Sequence, residues 1–283
     1  MSQVRIVTDS TSDIPAELRE ALGIEMVPLK VLFGSESLRD AVDITADTFY
    51  DKLAQSPALP TTSQPSPAEF VEVYRRLSEP DGASILSIHL SSAFSGTYQS
   101  AQIARTMVED SADVTLIDTK SASYGFGLLV VAAAEAARQG KSKEEIVQLV
   151  EELRQRKQVY FMVDTLEYLQ KGGRIGKAAA LVGSLLNIKP ILSISEEGLV
   201  YSVDKVRGTK KALSRIGELL KQDFADTPVH LVFGYTKNKS DVSELQAQLE
   251  AAFQVKSVSY TQIGSVVGAH VGPGTIAVFA YPA

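Results

Sequence analysis

A run of hydroxyl-bearing residues follows an apolar segment near the middle of the chain, and it could bind an anion. Residues 85–88 are largely apolar, residues 91–95 contain three serines, and a helical pattern begins near Gly96. This order predicts a buried strand, a polar turn and the start of a helix. Free N–H groups at a helix start, with the positive end of the helix dipole, attract carboxylates and phosphates. The turn is therefore a candidate anion site.

Ser95 in this turn also has a purely structural interpretation. Serine is a favoured N-cap residue, so Ser95 could simply cap the helix that follows it. The segment by itself leaves both interpretations open.

Two other polar groups have the chemistry of an anion site. Thr62 lies in residues 57–67, where four prolines accompany four hydroxyl residues and predict a stiff loop that could aim a hydroxyl. The alternative is a surface linker that ends at a capping Ser66. His270 stands among three glycines that give it little local cover. The hydroxyls of Thr62 and Ser95 and the imidazole of His270 can each contribute one hydrogen bond to an anionic oxygen, as can the N–H groups of Gly96 and Thr97.

The same residues permit an enzymatic alternative, a stand-alone serine hydrolase. Ser95, an aspartate at 118 or 164, and His270 occur in the chain order of the α/β-hydrolase triad. The G-x-S-x-G nucleophile elbow is absent, because alanine and threonine occupy its two glycine positions around Ser95. The motif therefore gives this alternative little support.

Composition excludes several other classes of function. The 283 residues carry a formal net charge of -6, whereas a nucleic-acid-binding protein needs a basic face. The absence of cysteine excludes disulfides, thiolate metal sites and cysteine nucleophiles, and the three histidines lack metal-ligand spacing. We expect no metal and no cofactor. The chain shows no signal peptide and no long apolar run, so we expect a cytoplasmic protein.

Strand and helix patterns alternate along the first 160 residues and predict an α/β fold with a mostly parallel sheet. Residues 24–33 resemble one long strand, and residues 34–37 a turn. Beyond residue 164, residues 177–186 form an apolar helical pattern that indicates burial or the wall of an apolar cavity. Two strands are expected around the turn at residues 196–198. Strands at 255–260 and 276–280 complete the pattern.

Several short motifs occur together in this chain, and their combination is more specific than any one of them. They are Asp9-Ser10, Thr62-Ser63-Gln64-Pro65-Ser66, Ser91-Ser92-x-x-Ser95-Gly96-Thr97-Tyr98-Gln99, Gly172-Gly173-Arg174-Ile175, Lys189-Pro190, Arg207-Gly208 and Gly268-Ala269-His270-x-Gly272-Pro273-Gly274. With this set, the chain resembles the DegV family, which includes the fatty-acid-binding subunits (FakB) of bacterial fatty acid kinase. The resemblance extends from about residue 4 to residue 281.

The resemblance implies two domains and a buried fatty acid. A Rossmann-like domain, residues 1–160, would carry the headgroup loops, and a smaller α/β domain, residues 161–283, would cover the acyl chain. By the same resemblance, Thr62, Ser95, Gly96 and His270 would hold the carboxylate of a long-chain acid such as palmitate or oleate.

The resemblance also implies a partner. Arg174 and Arg207 match positions that face an ATP-dependent kinase, to which this protein would present the acid without being an enzyme itself. A transient contact with a membrane surface would fit such a role. We expect neutral donors and no adjacent arginine at the headgroup, which would leave the carboxylate free to act as a nucleophile. The residues that we expect along the acyl chain are Phe94, Leu181, Val182, Leu185 and Leu186.

Overall fold

A computed structural model describes residues 4–79, 82–183 and 188–283. Its strands are β1 (Arg5–Asp9), β2 (Glu25–Val27), β3 (Lys30–Phe33), β4 (Glu36–Arg39), β5 (Thr61–Ser63), β6 (Ile85–His89), β7 (Val114–Asp118), β8 (Gln158–Met162), β9 (Ile188–Ile194), β10 (Val200–Arg207), β11 (Val229–Tyr235), β12 (Val255–Gln262) and β13 (Ile276–Pro282). Its α-helices are α1 (Ala16–Leu22), α2 (Ala46–Gln55), α3 (Pro67–Ser78), α4 (Thr97–Met107), α5 (Tyr124–Arg138), α6 (Lys143–Arg156), α7 (Glu167–Lys171), α8 (Thr209–Phe224), α9 (Ser243–Ala252) and α10 (Ser265–Val271).

The predicted parallel sheet is present in the N-terminal half. Among the described residues it has the order β2-β1-β6-β7, and every neighbouring pair is parallel. All five residues of β6 are buried, as expected for a strand inside a sheet that is covered on both faces. Because the strands are parallel, β1, β6 and β7 end at the same edge. The α/β fold class predicted from the sequence is confirmed, and the polar turns after these strands lie at one edge.

A mixed sheet forms the second layer, with the order β10-β9-β8-β13-β11-β12 in the described part of the chain. Strand β8 pairs antiparallel with β13, so it belongs to this second sheet although the domain boundary predicted at residue 160 runs through it. The main hydrophobic core contains Leu86 and Ile88 of β6 together with Val159 and Phe161 of β8. One continuous core therefore joins the two sheets. The boundary itself stays a prediction.

The long strand predicted over residues 24–33 is wrong. The chain breaks at Pro28, so that β2 joins the parallel sheet while β3 lies in a separate antiparallel sheet, β4-β3-β5. Proline has no N–H for a sheet ladder, which favours the break. The proline-rich loop contains a short strand, β5, that was not predicted. Its pairing with β3 sets Thr62 opposite Val31.

The apolar helix predicted over residues 177–186 is also different. A 3-10 helix covers Gly176–Leu181, and Val182, the residue after it, has extended dihedral angles. Gly176 and Gly183 have φ values of 53° and 84°, which are left-handed and cannot continue a right-handed helix. The remainder of the predicted helix, residues 184–186, lies outside the described residues.

Helix starts agree with the sequence patterns. Thr45, Ser66 and Ser142 each form a capping box with the residue three positions later. Gly23 ends α1 in the left-handed conformation. Over residues 4–79, 82–183 and 188–283, each helix is too short or too polar to span a lipid bilayer.

Candidate functional site

An apolar cavity lies where the carboxyl edge of the parallel sheet meets the mixed sheet. The space between its lining atoms, including open solvent at its mouth, is about 890 Å³. We call it the central cavity. Strands β8 and β13 and helix α10 supply much of its apolar wall, through Val159, Phe161, Ala277, Phe279, Val266 and Val271.

Polar side chains from distant parts of the chain also line the central cavity. We call five of them the polar cluster: Thr62, Gln64, Ser95, Arg174 and His270. They come from β5 and the loop after it, the turn before α4, the turn after α7, and helix α10. Three of the four residues predicted to bind a carboxylate are therefore on the wall of one apolar cavity. The fourth, Gly96, is next to Ser95.

Thr62 and His270 form a pair although 208 residues separate them. The distance from Thr62 Oγ1 to His270 Nε2 is 2.8 Å. Burial, and then the charge of Arg174, lower the pKa of His270 to about 4, so the imidazole is neutral at pH 7. If Nε2 carries the proton, it donates to Thr62, and the threonine hydroxyl is free to donate into the cavity. The pair can then offer a hydroxyl donor to an anion.

Close packing around glycines positions His270. The sequence suggested that the glycines would leave it little cover, yet it lies on helix α10 and is mostly buried. A Cβ at Gly268 would come within 2.5 Å of Tyr50 Oη, and a Cβ at Gly172 within 2.3 Å of His270 Nδ1. These two glycines therefore let α10 approach α2 and let the turn after α7 cover the imidazole. His270 Nδ1 is buried and has no hydrogen-bond partner among the described residues.

Ser95 has a local structural role as well as a place on the cavity wall. Its Oγ accepts a hydrogen bond from the Thr97 N–H at 3.3 Å and lies 2.9 Å from Thr97 Oγ1. The Thr97 N–H that the sequence offered for an anion is thus occupied. When the Thr97 hydroxyl also donates to Ser95, the Ser95 hydroxyl can donate to a ligand. This local hydrogen bond and ligand binding are compatible at Ser95, although Gly96 rather than Ser95 is the N-cap residue of α4.

Arg174, which was predicted to face a kinase partner, also takes part in the cavity. It lines the central cavity, its Nε donates to the Phe94 carbonyl at 3.0 Å, and its Nη1 donates to the Gly172 carbonyl at 2.6 Å. The expectation of a headgroup site without an adjacent arginine is wrong. The guanidinium joins the turn before α4 to the turn after α7 and brings a fixed positive charge to the cavity. Arg207 is exposed and borders a separate groove with Asp164.

The predicted acyl-chain residues are only partly on the cavity wall. Phe94 lines the cavity, whereas Leu181 packs against the main core and Val182 is 41% exposed. Neither of the latter two is on the described wall. Leu185 and Leu186 lie outside the described residues. The sequence did not identify the lining residues of β8 and β13, because both faces of these strands are apolar. The usual alternation of polar and apolar residues therefore does not show which face lines the cavity.

The geometry does not assemble the hydrolase triad. Asp118 accepts hydrogen bonds from Ser92 N and Lys120, and Asp164 pairs with Lys189. His270 therefore has neither aspartate as an orienting partner. A chain of hydrogen bonds with triad chemistry does connect Asp9, His89 and Ser87, at 2.9 Å and 2.7 Å. These three side chains are fully buried, so no substrate can reach the serine.

Comparison with known proteins identifies relatives along the whole chain. A family model described as "Uncharacterised protein, DegV family" matches residues 3–283. A DegV domain-containing protein of Caldanaerobacter subterraneus is 41% identical over 282 residues, covering 99% of both chains.

Solved structures agree with this match. A fatty-acid-binding DegV family protein from Thermus thermophilus has a TM-score of 0.93 and 40% identity, and the match covers 100% of both chains. A stearic-acid-binding protein from Eubacterium ventriosum has a TM-score of 0.89 and 30% identity, with 100% of this chain and 98% of the other covered.

Proposed function

Because the chain belongs to the DegV family, we propose that it binds a long-chain fatty acid such as palmitate or oleate in the central cavity. The observation that carries this proposal is the meeting of an apolar wall with the polar cluster at one cavity. Similarity to proteins described as binding fatty acids supports the same ligand class.

The apolar wall would provide most of the affinity. Burying about 15 carbons at about 0.8 kcal/mol each contributes about 12 kcal/mol before the costs of association. A hydrogen bond to a charged headgroup contributes only about 1.5–3 kcal/mol. The headgroup residues would therefore set the orientation of the acid, and burial of the acyl chain would provide most of its affinity.

The carboxylate would be held by hydroxyl donors and one nearby cation. Thr62 and Ser95 would donate their hydroxyl protons, and the Gly96 N–H, which has no hydrogen bond to a described residue, would donate a third. The charge of Arg174 would favour the ionised acid. Two of the five N–H groups of Arg174 are already bonded to carbonyls, which leaves three to reach a carboxylate.

The finer part of the proposal is presentation of the acid to an ATP-dependent kinase. One carboxylate oxygen would attack the γ-phosphorus of ATP, the bond to the β-phosphate oxygen would break, and ADP would leave, giving an acyl phosphate. This chain would supply positioning rather than a catalytic group. Arg207 is exposed and free of the headgroup site, which suits a contact with the kinase. Arg174 is only half-buried and could contribute to that contact as well.

Mass spectrometry tests ligand binding directly. Protein purified from a bacterial host should carry the extra mass of a long-chain fatty acid under native conditions and lose it on denaturation. A protein that is empty and also takes up neither palmitate nor oleate would overturn the proposal.

Variants then test the headgroup assignment. The Thr62→Ala/Ser95→Ala double variant should bind oleate at least tenfold more weakly, because it loses hydrogen bonds to a charged group. Thr61→Ala is a matched control, since Thr61 is an exposed neighbour on β5 that does not line the cavity. Unchanged affinity of the double variant would contradict the assignment.

Arg207→Ala separates carrying from presentation. With a fatty acid kinase added, this variant should bind oleate normally and yet form less acyl phosphate than the wild-type protein. Normal acyl-phosphate formation by Arg207→Ala would contradict the assigned contact. If the wild-type protein also forms no acyl phosphate, the proposal of presentation to a kinase fails and only the role of a fatty acid carrier remains.

A further inference from the structure

Gln64 is the member of the polar cluster to which the proposed function gives no role. It follows strand β5, is exposed, and lines the central cavity together with Thr62. Its side-chain amide makes no hydrogen bond to the described residues, although buried Pro65 and the pairing of β5 hold the backbone on both sides. Gln64 thus has a backbone that is held in place and a side-chain amide without a hydrogen-bond partner among the described residues.

The amide of Gln64 lies directly against Gly96. A Cβ built at Gly96 would be 2.6 Å from Gln64 Nε2, 3.0 Å from Cδ and 3.4 Å from Oε1. These three distances place the whole amide group over the α-carbon of the glycine. Gly96 follows Ser95 and is the N-cap residue of helix α4, so the amide lies against the turn that carries Ser95.

We propose that Gln64 is a headgroup residue that covers the carboxylate of the bound acid at the mouth of the central cavity, donating a hydrogen bond from Nε2. This inference rests on the proposed function. A carboxylate has about four acceptor sites, so the donors at Thr62, Ser95 and Gly96 leave room for another. The amide is exposed and loses little hydration when it turns toward the ligand. Covering the carboxylate slows the escape of the acid, and withdrawal of the flexible side chain uncovers it.

The contact between Gln64 and Gly96 gives a second substitution that tests the proposal. Gly96 has φ -72° and ψ 6°, which alanine adopts without strain, so the backbone conformation does not require glycine. An alanine Cβ would instead meet the Gln64 amide, the end of a flexible side chain, and would displace it. Gly96→Ala should therefore weaken retention of the bound acid as much as Gln64→Ala does. Combining the two substitutions should add nothing, since each removes the same contact.

The experiment measures dissociation of a fluorescent long-chain acid, cis-parinaric acid, after mixing the loaded protein with excess oleate. Gln64→Ala and Gly96→Ala should each raise the dissociation rate constant about tenfold, and the double variant should match them. Gln64→Glu should raise the dissociation rate constant of cis-parinaric acid further, because the new negative charge repels the carboxylate. It should not raise the rate constant of parinaric acid methyl ester further, since the ester carries no charge. Thermal unfolding checks that each variant is folded.

The matched controls are Gln155→Ala and Gln155→Glu, which change an exposed glutamine of α6 outside the cavity and should leave the rate unchanged. A wild-type rate in Gln64→Ala, or additive effects of the two single substitutions, overturns the role of Gln64. Failure of the wild-type protein to bind cis-parinaric acid instead overturns the proposed function.

Discussion

The stability of the ligand-free protein should depend on the protonation of His270. Its pKa is about 4 in the folded state and near 6.5 in an unfolded chain, chiefly because burial disfavours the imidazolium. The unfolded chain therefore binds more protons between these values. The contribution of neutral His270 to stability is complete above pH 6.5 and is lost as the pH falls toward 4. At about 1.4 kcal/mol per pKa unit, the full loss is about 3 kcal/mol.

Urea unfolding of delipidated protein at pH 7.5 and pH 4.5 measures this contribution. The wild-type free energy of unfolding should fall by about 2–3 kcal/mol more than that of His270→Gln, whose amide does not titrate. Protonation of carboxylates in acid destabilises the wild-type protein and His270→Gln equally. The difference between the two losses of unfolding free energy therefore isolates the contribution of the histidine. Equal losses in the two proteins would refute the assignment of a buried neutral imidazole. Bound fatty acid should reduce the wild-type loss, because a nearby carboxylate favours the imidazolium.

Three further outcomes follow from the described contacts. Burial raises the pKa of Asp40, which is 2% exposed, so its contribution to stability falls as the pH rises from about 4 through the raised value. Asp40→Asn should remove this loss, so the difference in melting temperature between the variant and the wild-type protein should change as the pH rises above about 4, and a constant difference would contradict this. A fluorophosphonate probe should leave Ser95 unlabelled, because no activating base among the described residues contacts its hydroxyl. Labelling detected by peptide mass spectrometry would revive the hydrolase alternative. Ala277→Phe should fill part of the cavity and shift the co-purified acid to shorter chains by native mass spectrometry, whereas Ala252→Phe, outside the cavity wall, should not.

Much of the fold was predictable because its signals are local. A cap such as Thr45 or Ser142 acts over three residues, and a glycine such as Gly23 ends a helix through its own φ. The strand, turn and helix around Ser95 could be predicted for the same reason. The errors occurred where local patterns were ambiguous, as at Pro28, which divides one apolar run between two sheets.

The sequence by itself determined the α/β class, the family resemblance and the residue types available to bind an anion. Only the tertiary structure decided how they meet: it brings Thr62 to His270 across 208 residues and turns Arg174 toward the cavity. It also decided which apolar faces of β8 and β13 enclose space and which form solid core. The physical reason is range, since caps and turns depend on a few neighbouring residues, whereas a cavity depends on contacts between elements that sequence distance does not specify.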